Sequence, residues 1–133
     1  MNSFKFQVDD EYGGHKITLN HFRHVALDPK TGQPTQTPKA LVFYTHGYGD
    51  YGSRYAYVGN YLSKLGIEMA GLDQRGFGDS EGEEGKIVSF EVSTDDNKSF
   101  FKEYIKKYPH LKDVPKFLMT GSWGCQIALY SHL

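Results

Sequence analysis

What this 133-residue chain lacks narrows it first. It has a single cysteine, Cys125, so no internal disulfide framework can form and the usage fits a reducing compartment. It has no excess of charge: 15 Lys and Arg stand against 16 Asp and Glu, a net charge of −1. Nothing in that balance calls for nucleic acid or an anionic membrane surface. Long hydrophobic runs are missing too. The longest, such as residues 40–44, fall far short of the roughly 20 residues a spanning helix needs, and mean hydropathy is −0.56. The N-terminal Met1-Asn2-Ser3-Phe4-Lys5-Phe6 has no apolar signal-peptide core. A cytoplasmic protein with at most peripheral membrane contact is expected. What the chain has in quantity is aromatics and glycine: 10 Tyr, 9 Phe and 15 Gly, which suit a packed sheet with tight turns and not a disordered tail.

Residues 14–27 alternate loosely, with β-branched and aromatic side chains, as one or two antiparallel strands would. Residues 28–39 carry Pro29, Pro34 and Pro38 and read as a loop. Leu41-Val42-Phe43-Tyr44-Thr45 is a continuous run of the kind buried on both faces of a parallel sheet. Tyr57, Val58, Tyr61, Leu62 and Leu65 then recur at helical spacing, with Ser53 a candidate N-cap and Gly66 the stop. Residues 67–72 predict a strand, residues 74–85 a loop rich in glycine and acids, and residues 90–108 a long amphipathic helix ended by Pro109. Residues 117–119 predict a final strand, and residues 125–130 a final helix. The alternation predicts an α/β fold: a mostly parallel sheet with flanking helices, preceded by short antiparallel strands. We expect one partial domain, with strands and loop over residues 1–39 and the core over residues 40–133.

Three motifs carry chemistry. His46-Gly47-Tyr48-Gly49 follows the first core strand directly, and a glycine-rich turn there can aim backbone amides at a developing oxyanion. The same stretch opens Gly47-Tyr48-Gly49-Asp50-Tyr51-Gly52, a G-x-G-x-x-G with Asp73 about 20 residues on. That is the pattern of a dinucleotide site, but Asp50 would set a carboxylate in the phosphate cradle. The second motif is Asp73-Gln74-Arg75-Gly76-Phe77-Gly78-Asp79-Ser80-Glu81-Gly82. It resembles a calcium loop by Asp73, Gly78 and Glu84, yet Arg75 and Phe77 stand where oxygen ligands are needed, so no metal or other cofactor is expected. The third is Thr120-Gly121-Ser122-Trp123-Gly124 between the last strand and helix. It has the form of a nucleophile elbow, with Thr120 in place of the usual first glycine, where strain is expected.

Taken together, these motifs resemble the monoacylglycerol lipase and lysophospholipase group of α/β hydrolases, a group that includes S33-type serine aminopeptidases. The resemblance spans about residues 40–133. It rests on His46-Gly47-Tyr48-Gly49 with Ser53-Arg54-Tyr55, on residues 73–82, and on residues 117–129. It implies the N-terminal half of an α/β-hydrolase fold, Ser122 as nucleophile, and the backbone N–H groups of Tyr48 and Trp123 as oxyanion hole. His46 corresponds to a structural histidine beside that hole. The implied substrate is an acylglycerol, lysophospholipid or other small ester.

The resemblance also implies that the triad acid and base follow the serine, yet only 11 residues follow Ser122. Among them His132 would lie ~15 Å along the same helix, which makes it a poor base. His15, His21, His24 and His110 read as surface or loop residues. The chain is therefore expected to be the N-terminal half of a hydrolase of about 250–300 residues, inactive by itself. The alternatives are a non-catalytic structural or interaction protein of hydrolase descent, whose exposed sheet edge a protein partner would cover, and a dinucleotide-binding module.

Overall fold

The computed structural model describes residues 4–132. In chain order these form strands β1 (Phe6–Asp9), β2 (Lys16–Leu19), β3 (His21–His24) and β4 (Ala40–Thr45), helix α1 (Ala56–Lys64), β5 (Ile67–Leu72), α2 (Phe90–Lys107), β6 (Lys116–Thr120) and α3 (Gly124–Ser131). The main sheet has the order β3-β5-β4-β6. β4 is parallel to both β5 and β6, while β3 runs antiparallel to β5. β1 and β2 make a separate antiparallel ribbon, with Phe6 opposite Leu19. This is the architecture of the N-terminal half of the α/β-hydrolase fold.

β4 lies centrally because both of its faces are apolar. Leu41 and Phe43 join the core cluster under α2, where Phe43 stacks on Phe101 with ring centroids 4.1 Å apart. On the other face Tyr44 packs between Phe22 and Tyr55. α2 forms as its periodicity predicts, with Phe100, Phe101 and Tyr104 buried. Ser89 caps it by accepting from the Val92 amide at 3.1 Å. Glu91 in its first turn and Lys106 and Lys107 in its last complement the helix dipole. β1 has too short a pattern to be foreseen. It is held through Phe6, whose ring meets Phe100 edge-on.

α1 departs from expectation in two ways. A 3₁₀ turn, Gly52–Tyr55, precedes it, so Ser53 lies exposed in that turn and does not cap the helix. Its buried positions are Gly59 and Ser63, whereas Tyr57 and Tyr61 face solvent. The helix meets the sheet through small residues: a side chain at Gly59 would collide with the His24 ring.

β3 lies in the stretch expected to form antiparallel strands, but His21 and His24 differ from their expected surface or loop placement, since both sit half-buried in it. Between them Arg23 reaches the fully buried Glu68 of β5, Nε to Oε1 2.8 Å. Tyr104 of α2 donates its hydroxyl to the same carboxylate, and the Arg23 guanidinium lies 3.7 Å from the centre of the Tyr108 ring. This cluster ties β3, β5 and α2 together.

Candidate active site

The last strand ends at Thr120, and the chain reverses through Gly121, Ser122 and Trp123 into α3. Ser122 has φ 53°, the one positive value among the described non-glycine residues. A left-handed backbone at a residue with a Cβ costs on the order of 1–2 kcal/mol, so the surrounding contacts must hold it. Two of them close the turn: the Gly124 amide donates to Gly121 O and the Cys125 amide to Ser122 O, each at 3.0 Å. The third is steric. A Cβ on Gly124 would sit 2.6 Å from the His46 carbonyl oxygen and closer still to that of Thr45, so only glycine lets α3 come this near the end of β4. Ser122 itself is exposed, and its hydroxyl has no protein partner among the described residues.

The strain expected at Thr120 is found at Ser122 instead. Thr120 is a half-buried strand residue whose hydroxyl donates to Cys125 Sγ at 2.8 Å, bridging strand and helix across the turn. Where a glycine would leave a gap, this side chain makes a bond.

The His46–Gly49 turn lies against the elbow: a Cβ at Gly47 would stand 3.1 Å from Ser122 Cβ. His46 is fully buried and held at both ring nitrogens. Its Nδ1–H donates to Gly47 O at 2.7 Å, and its Nε2 accepts the Gln74 amide at 2.8 Å. That pairing fits the neutral ring, and burial pushes the His46 pKa below its ordinary value. Gln74 also donates its side-chain amide to His46 O at 2.6 Å, so one residue pins the histidine at two points. Nothing in the residue type marked Gln74 for this; its place directly after Asp73 in the glycine-rich motif was the available signal. The amides of Tyr48 and Trp123 donate to no protein acceptor among the described residues. The Tyr48 side chain is exposed, its ring edge-on to Phe77 and its hydroxyl 3.3 Å from Gly85 O.

The second motif is the support for this turn. Asp73 is fully buried, and its carboxylate accepts from the Gly52 amide (2.7 Å), the Asn20 side chain (2.8 Å) and the Asp79 amide (3.1 Å). The last glycine of the G-x-G-x-x-G is thus bonded to the acid that would have to bind a ribose. Asp50 is engaged as well, by the Tyr55 hydroxyl at 2.6 Å and the Tyr51 amide at 2.9 Å. Both uses are at odds with a dinucleotide site.

No histidine hydrogen-bonds Ser122 among the described residues. His132 stacks on Phe101 of α2, with centroids 4.9 Å apart. His15 pairs with Asp10 on the surface, His21 bonds Phe4 O, and His110 lies near Tyr108 in the 3₁₀ turn after α2.

Residues 36–133 match the family model for serine aminopeptidase, S33. The chain belongs to that family. As an S33-family member it is similar to human monoglyceride lipase, 37% identical over 97 residues, which cover 73% of this chain and 31% of the lipase. Among solved structures, the fold resembles a thermostable carboxyl esterase from Bacillus coagulans with a TM-score of 0.69 and 18% identity, covering 94% of this chain and 38% of the esterase. It also resembles a monoglyceride lipase from Saccharomyces cerevisiae, with a TM-score of 0.63 and 21% identity over 92% of this chain and 37% of that one. The chain spans about a third of the length of the monoglyceride lipases it matches. Among the described residues no helix is long and apolar enough to cross a membrane.

Proposed function

We propose that this chain carries the nucleophile and oxyanion-binding part of a serine hydrolase for carboxylic esters of the monoacylglycerol or lysophospholipid type. One observation carries the reading: Ser122 is exposed and held at φ 53°, beside two amides free to bind an anion, those of Tyr48 and Trp123. In this reading Ser122 Oγ attacks the ester carbonyl carbon and its proton passes to a base. The carbonyl oxygen takes up the negative charge between the Tyr48 and Trp123 amides. The alcohol then leaves with a proton, and water hydrolyses the acyl-enzyme. His46 has no part in proton transfer, because both ring nitrogens are occupied. Its role is to fix the turn that presents the Tyr48 amide. Similarity to monoglyceride lipases supports the substrate class.

The hydroxyl lacks a base among the described residues, and a free serine is a weak nucleophile. We therefore expect the 133-residue chain to react with a fluorophosphonate probe slowly or not at all, and added imidazole to speed labelling at Ser122 by supplying the missing base. Ser122→Ala should abolish whatever labelling occurs. Fast labelling without imidazole, lost in Ser122→Ala, would overturn the view that the chain alone lacks a base. Imidazole-insensitive silence would favour a second reading, a non-catalytic interaction protein of hydrolase descent.

A further inference from the structure

The amide of Tyr48 is a main-chain group, so its direction is set by whatever holds the peptide unit that carries it. The Gly47–Tyr48 peptide is planar and trans, and its N–H points opposite the Gly47 carbonyl. That carbonyl accepts from His46 Nδ1 at 2.7 Å and from the Asp50 amide at 3.3 Å. The Tyr48 amide is therefore aimed only as well as His46 is held.

Gln74, in the loop after β5, holds His46 through two groups that differ in kind. Its main-chain amide donates to the ring Nε2 at 2.8 Å, a bond that any residue but proline could supply. Its side-chain amide donates to His46 O at 2.6 Å, and this bond depends on the residue type. A carbonyl oxygen only accepts, so the nitrogen end of the side chain must face it. One bond thus orients the ring beneath the Gly47–Tyr48 peptide, and the other fixes the His46–Gly47 peptide before it. The same His46 oxygen is the one that a Cβ on Gly124 would meet at 2.6 Å. The turn, the Gln74 loop and the start of α3 converge on that atom.

As a stabilising group this side chain is a poor choice. Gln74 is 4% exposed, and its Oε1 is buried without a hydrogen-bond partner among the described residues. A buried acceptor left unpaired offsets much of what the one bond contributes. An apolar side chain of similar length would fill the space without that cost. It would not hold the His46 carbonyl by a directed bond.

We propose that Gln74 is a positioning residue for the oxyanion site: its side-chain amide fixes the His46 carbonyl and, through it, the direction of the Tyr48 N–H. This rests on the reading of that N–H as an oxyanion donor. It separates stability from reactivity at a single position.

The test is imidazole-assisted fluorophosphonate labelling of the 133-residue chain. In that reaction Ser122 Oγ bonds to phosphorus, fluoride leaves, imidazole takes the serine proton, and the phosphoryl oxygen gains charge at the oxyanion site. Gln74→Met keeps the main-chain bond and removes only the side-chain donor. Its labelling rate per folded molecule should fall about tenfold, less than the roughly 10²–10³ lost with a whole donor. Its melting temperature should stay at or above that of the wild type. Gln74→Glu should label slowly near about pH 9 and approach the wild-type rate toward about pH 6, as the buried carboxyl gains the proton that lets it donate. A Gln74→Met chain that labels as fast as the wild type, or slows only in proportion to lost folded protein, would overturn the proposal. Should Gln74→Met not fold, a Gln74→Glu rate that keeps a constant ratio to the wild type across that pH range would overturn it instead. A wild type that is silent with imidazole would defeat the serine-hydrolase reading, and the positioning role is then judged by NMR. Microsecond-to-millisecond exchange at the Tyr48 amide should be absent in the wild type and present in Gln74→Met. Flat relaxation dispersion in both would overturn it.

Discussion

The two sides of the main sheet are held by different means. On the β3–β5 side, charge sits inside: Arg23, Glu68 and Tyr104 form one hydrogen-bonded cluster over which the strands and α2 meet. On the β4–β6 side there is almost no charge, and the close approaches are made by omission, with Gly47 and Gly124 leaving room for the elbow. The β3 edge is short, half-buried and charged, whereas the β6 edge is apolar and exposed. The side that carries the candidate chemistry is thus held by close backbone approach, and the other by buried charge.

If that contrast is right, the largest loss should come from breaking the buried cluster. Arg23→Met strands Glu68 in the interior and is expected to cost about 3–5 kcal/mol in urea unfolding. Lys116→Met on the other edge should change stability by no more than about 0.5 kcal/mol. Equal effects would erase the distinction. Next comes Gly124→Ala, whose Cβ meets the Thr45 and His46 carbonyls. It should destabilise by about 1–3 kcal/mol, as overpacking does, and suppress imidazole-assisted labelling of Ser122 beyond what the lost stability explains. Full labelling in this variant would show that the elbow does not depend on that approach. The smallest effect is that of acid, which reaches both sides. Burial lowers the pKa values of His24 and His46 below the ordinary 6.5. Below that pH the unfolded chain takes up protons the folded chain resists, so stability present at higher pH declines as pH falls from about 6.5 toward the lowered values. A melting temperature that is flat or rising from pH 7.5 down to pH 5, where unpaired His is largely protonated, would refute this.

Much of this arrangement was legible from residue patterns. β4 is a continuous apolar run, β5 is a short strand broken only by Glu68, α2 has a clean helical stripe, and the Ser122 turn is marked by its glycines and by Trp123. What stayed hidden depends on contacts distant in sequence. The burial of the β3 histidines is unseen until Phe4 and Gly59 are placed against them. The exposed Tyr57 and Tyr61 show that helical spacing finds a stripe without saying whether the sheet uses it. α1 is drawn in instead by Gly59 and Ser63, which no hydrophobic count would select. Thr120 looked like a flaw because its partner, Cys125, lies one helical turn into the next element. In each case the deciding neighbour was unknown.

The backbone angle at Ser122 has a consequence for how this protein changes over time. Its cost is borne by every molecule at every moment, with or without substrate. Glycine would relieve it, and mutation alone would tend to carry a neglected site in that direction. A serine in a left-handed turn is therefore a standing cost at position 122, and Ser122→Gly should raise stability as it removes the hydroxyl.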